Sequence, residues 1–160
     1  MSTSVGGIGN SVEIVPSISV TAYSADDQLG GVQAITGAAL SKDKTTTLIS
    51  LTVHDQSKQK KSMTLFFFDN FPTVSSADNT PIQMTPSEMA DKCIGSVAFT
   101  SADYADISAS SLLTLGIGRT GIAMKSKAQQ GTIYVVPKIN ESGTYAVGAL
   151  LFRYLFNQDA

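Results

Sequence analysis

Apolar and polar residues alternate with a period of two along most of this chain, the pattern of β-strands that bury one face. Ile14, Pro16, Ile18, Val20 and Ala22 alternate with Glu13, Ser17, Ser19, Thr21 and Tyr23, which predicts a first strand over residues 12–22. Pro16 has no N–H to give to a ladder, so that strand belongs at a sheet edge or carries a bulge. Ser24-Ala25-Asp26-Asp27 is turn chemistry. A shorter strand is expected over residues 29–37, where Gly30-Gly31 marks a bulge or a close backbone approach.

Two stronger strands follow. Residues 47–54 set Ile49, Leu51 and Val53 against Leu48, Ser50, Thr52 and His54; residues 62–69 set Met63, Leu65 and Phe67 against Thr64, Phe66 and Phe68. The polar stretch 55–61 reads as the loop of a hairpin between them. Residues 70–85, with Pro72 and Pro81, read as a long surface loop. Thr85 as N-cap, Pro86 in the first turn and Glu88 closing a capping box predict one short helix near residues 86–92. A strand over 94–101, a turn over 102–106 and short apolar runs at 112–115 and 121–125 come next.

The chain closes on residues 131–156, two strands joined by Asn140-Glu141-Ser142-Gly143. In the second, Tyr145, Val147, Ala149 and Leu151 alternate with Ala146, Gly148, Leu150 and Phe152, so it is apolar on both faces. One face fills a core; the other needs a second layer or another subunit.

Seven to nine short strands with one minor helix describe an all-β fold, an antiparallel β-sandwich of jelly-roll-like form. Residues 1–11 are rich in Ser, Thr and Gly and read as a flexible N-terminal arm; residues 12–160 read as a single sandwich domain. Charged residues make up only 15% of the chain, and Ser, Thr, Asn and Gln carry much of its polarity. Such a surface suits extended protein contact, because few charges must be stripped of water. A net charge of −2 argues against nucleic-acid binding, which needs a basic surplus. No secretory signal or membrane span is expected, which implies synthesis in a cytoplasm.

No residue set supports catalysis. The single His54 has no activated nucleophile marked beside it, and Gly116-Ile117-Gly118-Arg119-Thr120-Gly121 lacks the Lys-Ser/Thr ending of a phosphate loop. Asp26, Asp27, Asp103 and Asp106 lack EF-hand spacing and fit turns. The lone Cys93 excludes an internal disulfide and reads as a buried, inert thiol. The chain is therefore read as a non-enzyme without cofactor or metal. Its candidate protein-contact residues are Lys58, Lys60 and Lys61, a solvated loop tip or a dock for an acidic surface, and Phe66, Phe68 and Phe152. Phe66 and Phe68 pack under a second layer of the same chain or against a neighbouring subunit.

Four stretches resemble a group of small bacteriophage virion proteins that decorate or cement the head. They are residues 16–31, ending Tyr23-Ser24-Ala25-Asp26-Asp27-Gln28-Leu29-Gly30-Gly31; the pair 51–55 and 65–69; residues 94–106; and the segment opening Gly131-Thr132-Ile133-Tyr134. The resemblance implies a β-sandwich subunit on the outer capsid surface, often a dimer or trimer, with the major capsid protein as partner. It carries over no catalytic residue, and charge and the lack of a long apolar run leave neither nucleic acid nor membrane as an expected partner. The rival reading is a receptor- or carbohydrate-binding sandwich module on a tail or fibre, against which the absence of Trp weighs.

Overall fold

A computed structural model describes residues 8–159. Ten strands build two facing antiparallel sheets: β1 Ile8–Ile14, β2 Gln33–Ile35, β3 Thr45–Asp55, β4 Met63–Phe68, β5 Cys93–Phe99, β6 Tyr104–Ile107, β7 Ser110–Leu115, β8 Ile122–Lys125, β9 Ile133–Ile139 and β10 Leu150–Gln158. One sheet has the order β1-β10-β3-β7-β6, with β8 continuing the β7 position along β3; the other has the order β2-β9-β4-β5. The chain changes sheet at β1–β2, β2–β3, β3–β4, β5–β6, β8–β9 and β9–β10. With β7 and β8 sharing one place, this is the double Greek key of a jelly roll.

The sandwich is as expected; several of its joints are not. The loop over 56–62 does not close a hairpin, because β3 and β4 lie in opposite sheets and the loop arches between them. The closing pair of strands is likewise divided: β9 sits between β2 and β4, and β10 sits between β1 and β3. A short polar loop serves an arch as well as a hairpin, so loop composition alone does not decide. Residues 104–107, expected as part of a turn, form β6, the outer strand of a true hairpin with β7.

The first strand is displaced toward the N-terminus. β1 ends at Ile14, two residues before Pro16, and it lies at a sheet edge as the proline demands. It begins at Ile8, so residues 8–11 of the expected arm belong to the ladder with β10, and residues 1–7 lie outside the described residues. Pro16 packs on Gly30, whose φ is +76° and where a Cβ would stand 3.1 Å from the proline's own. The predicted close approach at Gly30 is this contact.

A bulge resets the face of β3. The register slips where Leu155 pairs Ser50 and Phe156 pairs Leu48, leaving Ile49 as the extra residue. Leu51, Val53 and Asp55 point inward beyond it, but Leu48 and Thr46 point inward before it, and Ile49 is only half-buried. The core between the sheets holds Leu51, Leu65, Phe67, Val97, Phe99, Leu113, Phe152, Tyr154 and Phe156. Phe152, Tyr154 and Phe156 stack along β10 at centroid spacings of 6.3 and 6.4 Å, and Phe67 meets Tyr154 edge-on at 6.3 Å. Each ring buried this way contributes roughly 1.5–3 kcal/mol.

The helix α1 (Pro86–Lys92) falls on the expected residues. Thr85 Oγ1 accepts from Glu88 N, as an N-cap should, but the Glu88 carboxylate does not close the box. It turns instead to Thr73 N at 2.7 Å and Lys92 Nζ at 2.6 Å, tying the helix to the long loop before it. Gly116 and Gly121 bracket a single helical turn, α2 (Ile117–Thr120), between β7 and β8.

Candidate protein-contact surface

The two sheets treat their outer faces differently. Over the four-stranded sheet the chain lays its own cover, the loop 69–85 and α1. Phe68 is fully buried and Phe66 half-buried beneath it, lining a 200 Å³ pocket with Ile82, Met84 and Met89. Phe71, on the loop, meets Tyr134 of β9 edge-on at 5.3 Å. Of the two readings for Phe66 and Phe68, the structure places them against a second layer of the same chain. Phe152 faces the opposite way from any surface: it lies in the core with no exposed area and presents nothing to another protein.

The lysine loop is internally balanced. Asp55, buried at the end of β3, accepts Ser57 N through Oδ1 and Lys60 N through Oδ2, both at 2.9 Å. These bonds hold the arch in a form where Lys58 and Lys60 both take φ near +50°. The Lys58 and Lys60 ammonium groups then converge on Asp106 at 3.6 and 3.2 Å, and Lys61 reaches Glu141 at 3.9 Å. Each cation already has a carboxylate of a neighbouring segment, so the loop is not a free positive patch.

The other candidate groups are similarly occupied. Arg119 grips Asp103 through its two terminal guanidinium nitrogens, Nη1 and Nη2, and holds its carboxyl below the usual range; Lys60 does the same for Asp106. Asp27 accepts Ser24 N within its turn, and Asp26 pairs with Lys138. Among the described residues no three His, Cys, Asp or Glu side chains gather as a metal site would require. His54 points outward on β3 while Asp55, its sequence neighbour, points inward, so the two do not form a dyad. Cys93 is half-buried, and burial pushes its thiol up, away from the reactive thiolate. No helix among the described residues is long and apolar enough to cross a membrane.

What remains is the outer face of the larger sheet, and strand register assembles it. Leu151, His54, Leu112 and Ala105 form one row across four strands; Glu13, Arg153, Thr52 and Thr114 form the next; Ser11, Leu155 and Ser50 form a third. All are half-buried or exposed. In these three rows the only charges are Glu13 and Arg153, which cancel through two hydrogen bonds of 2.9 and 2.7 Å. These three rows are close to neutral and made mainly of Leu, Ser and Thr; beyond them the same face carries the exposed Lys125 of β8. Sequence reasoning raised the second face of the last strand as a contact but named Phe152, which has the opposite parity. The rows themselves were hidden, because which residues of distant strands share a row depends on register.

No protein-family model and no curated protein sequence matches the chain. Among solved structures, it is similar to the Tomato Aspermy Virus structure at 9% identity and a TM-score of 0.37, covering 98% of this chain and 79% of that one. A Turnip Yellow Mosaic Virus structure gives 10% identity and a TM-score of 0.31, covering 96% and 94%. The VP2 subviral particle of infectious bursal disease virus gives 10% and 0.26, covering 94% and 40%. Likenesses this distant decide nothing about function, which is read from the chain's own geometry.

Proposed function

We propose that the protein is a structural virion component that docks on the outside of a phage capsid and stabilises it, as decoration or cement proteins do. The observation that carries this reading is the bare, nearly neutral outer face of the larger sheet, with its rows of Leu, Ser, Thr and one internally cancelled ion pair. Docking such a face strips few charges of water, and its sparse charge matches the core of a protein interface. Its partner is the major capsid protein, and the subunit acts as a homo-oligomer, a dimer or trimer. Many copies on one shell multiply a modest contact through avidity. The jelly-roll order of the strands and the resemblance of four sequence stretches to head-decorating proteins support the same reading.

The test is addition of purified protein to matured, expanded phage heads. It binds them and raises their disruption temperature. The double substitution Thr52→Asp with Leu151→Asp places two carboxylates on the contact face, and this variant stays folded yet loses head binding. Failure of the unmodified protein to bind any form of the shell overturns the reading. A receptor-binding module would need an aromatic platform; among the described residues the one exposed aromatic ring is Phe71. Specific glycan-array binding without head binding would replace the capsid reading with that one.

A further inference from the structure

A second surface stands out at the margin of the smaller sheet. Strand β2 ends that sheet, so one side of its ladder is unpaired, and among the described residues no backbone bond from another segment reaches Gln33 or Ala34 there. Two recesses flank it. One of 270 Å³ lies between residues 14–17 and 31–34, and one of 590 Å³ lies between the start of β2 and the loop 71–78. They share Ser17, Gly31 and Val32 and so make one bent trough. Val15 and Phe71, each 58% exposed, stand one in each recess as apolar posts.

One charged group in the lining is not fully spent. Asp78 is the only charged side chain there. Its Oδ1 takes both Tyr23 OH at 2.6 Å and Gly30 N at 2.7 Å, and its Oδ2 has no partner among the described residues.

We propose that this trough binds an extended polypeptide segment of a partner protein by strand addition to β2, the segment being uncharged but for one basic side chain set against Asp78. Main-chain bonds to an open sheet edge supply affinity, and the recesses beside it select alternate side chains. The unpaired Asp78 oxygen favours a cation and disfavours an acidic segment. The grip of this margin on a chain holds whether or not the partner is a capsid shell.

The probe is a blocked decapeptide of Ser, Thr and Val with one central Lys, titrated into the full chain and followed by amide chemical shifts. Saturable shifts are expected at Gln33, Ala34 and the loop 71–78. Asp78→Asn keeps the Oδ1 acceptor and removes the charge, and it should weaken binding about threefold. The same peptide N-methylated at alternate residues loses its ladder donors and should bind at least about tenfold more weakly. If Asp78→Asn does not fold, exchanging the peptide's Lys for Glu gives the same charge test on the unmodified protein. No saturation at millimolar peptide, equal binding of the N-methylated form, shifts elsewhere on the molecule, or indifference to the peptide's charge each overturns the proposal.

Discussion

Gly131 stands at φ +63°, and a Cβ there would lie 2.1 Å from the Ala39 carbonyl oxygen. That contact is backbone against backbone, held by Ala39 N donating to Gly131 O at 2.9 Å, so no side chain can swing away to relieve it. Gly131→Ala should therefore cost about 3 kcal/mol or more. Gly31→Ala, where nothing lies within 4 Å of the added carbon, should change stability by about 0.5 kcal/mol or less. Urea denaturation of the two variants checks the contrast. Strand β10 gives a second contrast, between its faces. Phe152 is wholly buried and Leu155 half-buried on the outer side. Phe152→Asp should cost about 5 kcal/mol, enough to unfold a typical domain, whereas Leu155→Asp should leave a folded protein. A soluble, cooperatively melting Phe152→Asp variant would refute its placement in the core.

At the scale of elements, alternation made the strands legible but not their partners. Residues 63–68 show their inward set, Met63, Leu65 and Phe67, directly in the sequence, and the structure buries all three. β3 shows only half of its pattern, because the bulge at Ile49 changes parity without a glycine or proline to signal it. The arch after β3 reads as a hairpin in the sequence, since its residues carry no mark of crossing between sheets. What fixes it is Asp55, which in the sequence looks like part of a polar loop and in the structure is a buried cap for two backbone N–H groups. Asp55→Ala would leave both donors without acceptor and should cost about 3 kcal/mol. Replacing Lys58, Lys60 and Lys61 together by Ala removes exposed or half-exposed ion pairs and the exposed bond from Lys58 Nζ to the Ser108 carbonyl, and should cost about 1 kcal/mol or less. Thermal melts of the two variants decide whether the loop is held by its buried acid or by its surface cations. The contact face was the least legible element of all. Ser50, Thr52 and Thr114 look bland one at a time, and only the pairing of strands far apart in sequence lines them up with Leu112, Leu151 and Leu155.

For the molecule as a whole, charge and burial set opposite limits on the pH range of stability. Lys92 beside Glu88, Arg119 beside Asp103 and Lys60 beside Asp106 hold three carboxyl groups below their ordinary values. In the unfolded chain these groups return to about 3.9 for Asp and 4.3 for Glu. Above those values both states are ionised and the contribution is complete. As pH falls below about 4, the unfolded chain takes up protons first and stability declines until the lower native values are passed. At the other end, burial pushes the phenols of Tyr23, Tyr104, Tyr145 and Tyr154 up. Their unfolded forms ionise near pH 10, so above about 10 the unfolded state gives up protons that the native state keeps, and stability falls. The phenolate absorbance of these four of the chain's five tyrosines should then rise in the same cooperative step as the loss of β-sheet circular dichroism. The two limits differ in origin and so in their response to salt. The acid limb comes from ion pairs near the surface, which molar salt screens; the alkaline limb comes from desolvation between two sheets, which salt does not reach. Raising the salt should flatten the acid limb and leave the alkaline midpoint in place. Absorbance of more than one phenolate per chain appearing well before the sheet signal is lost would mean that these rings are not shielded by the packing described.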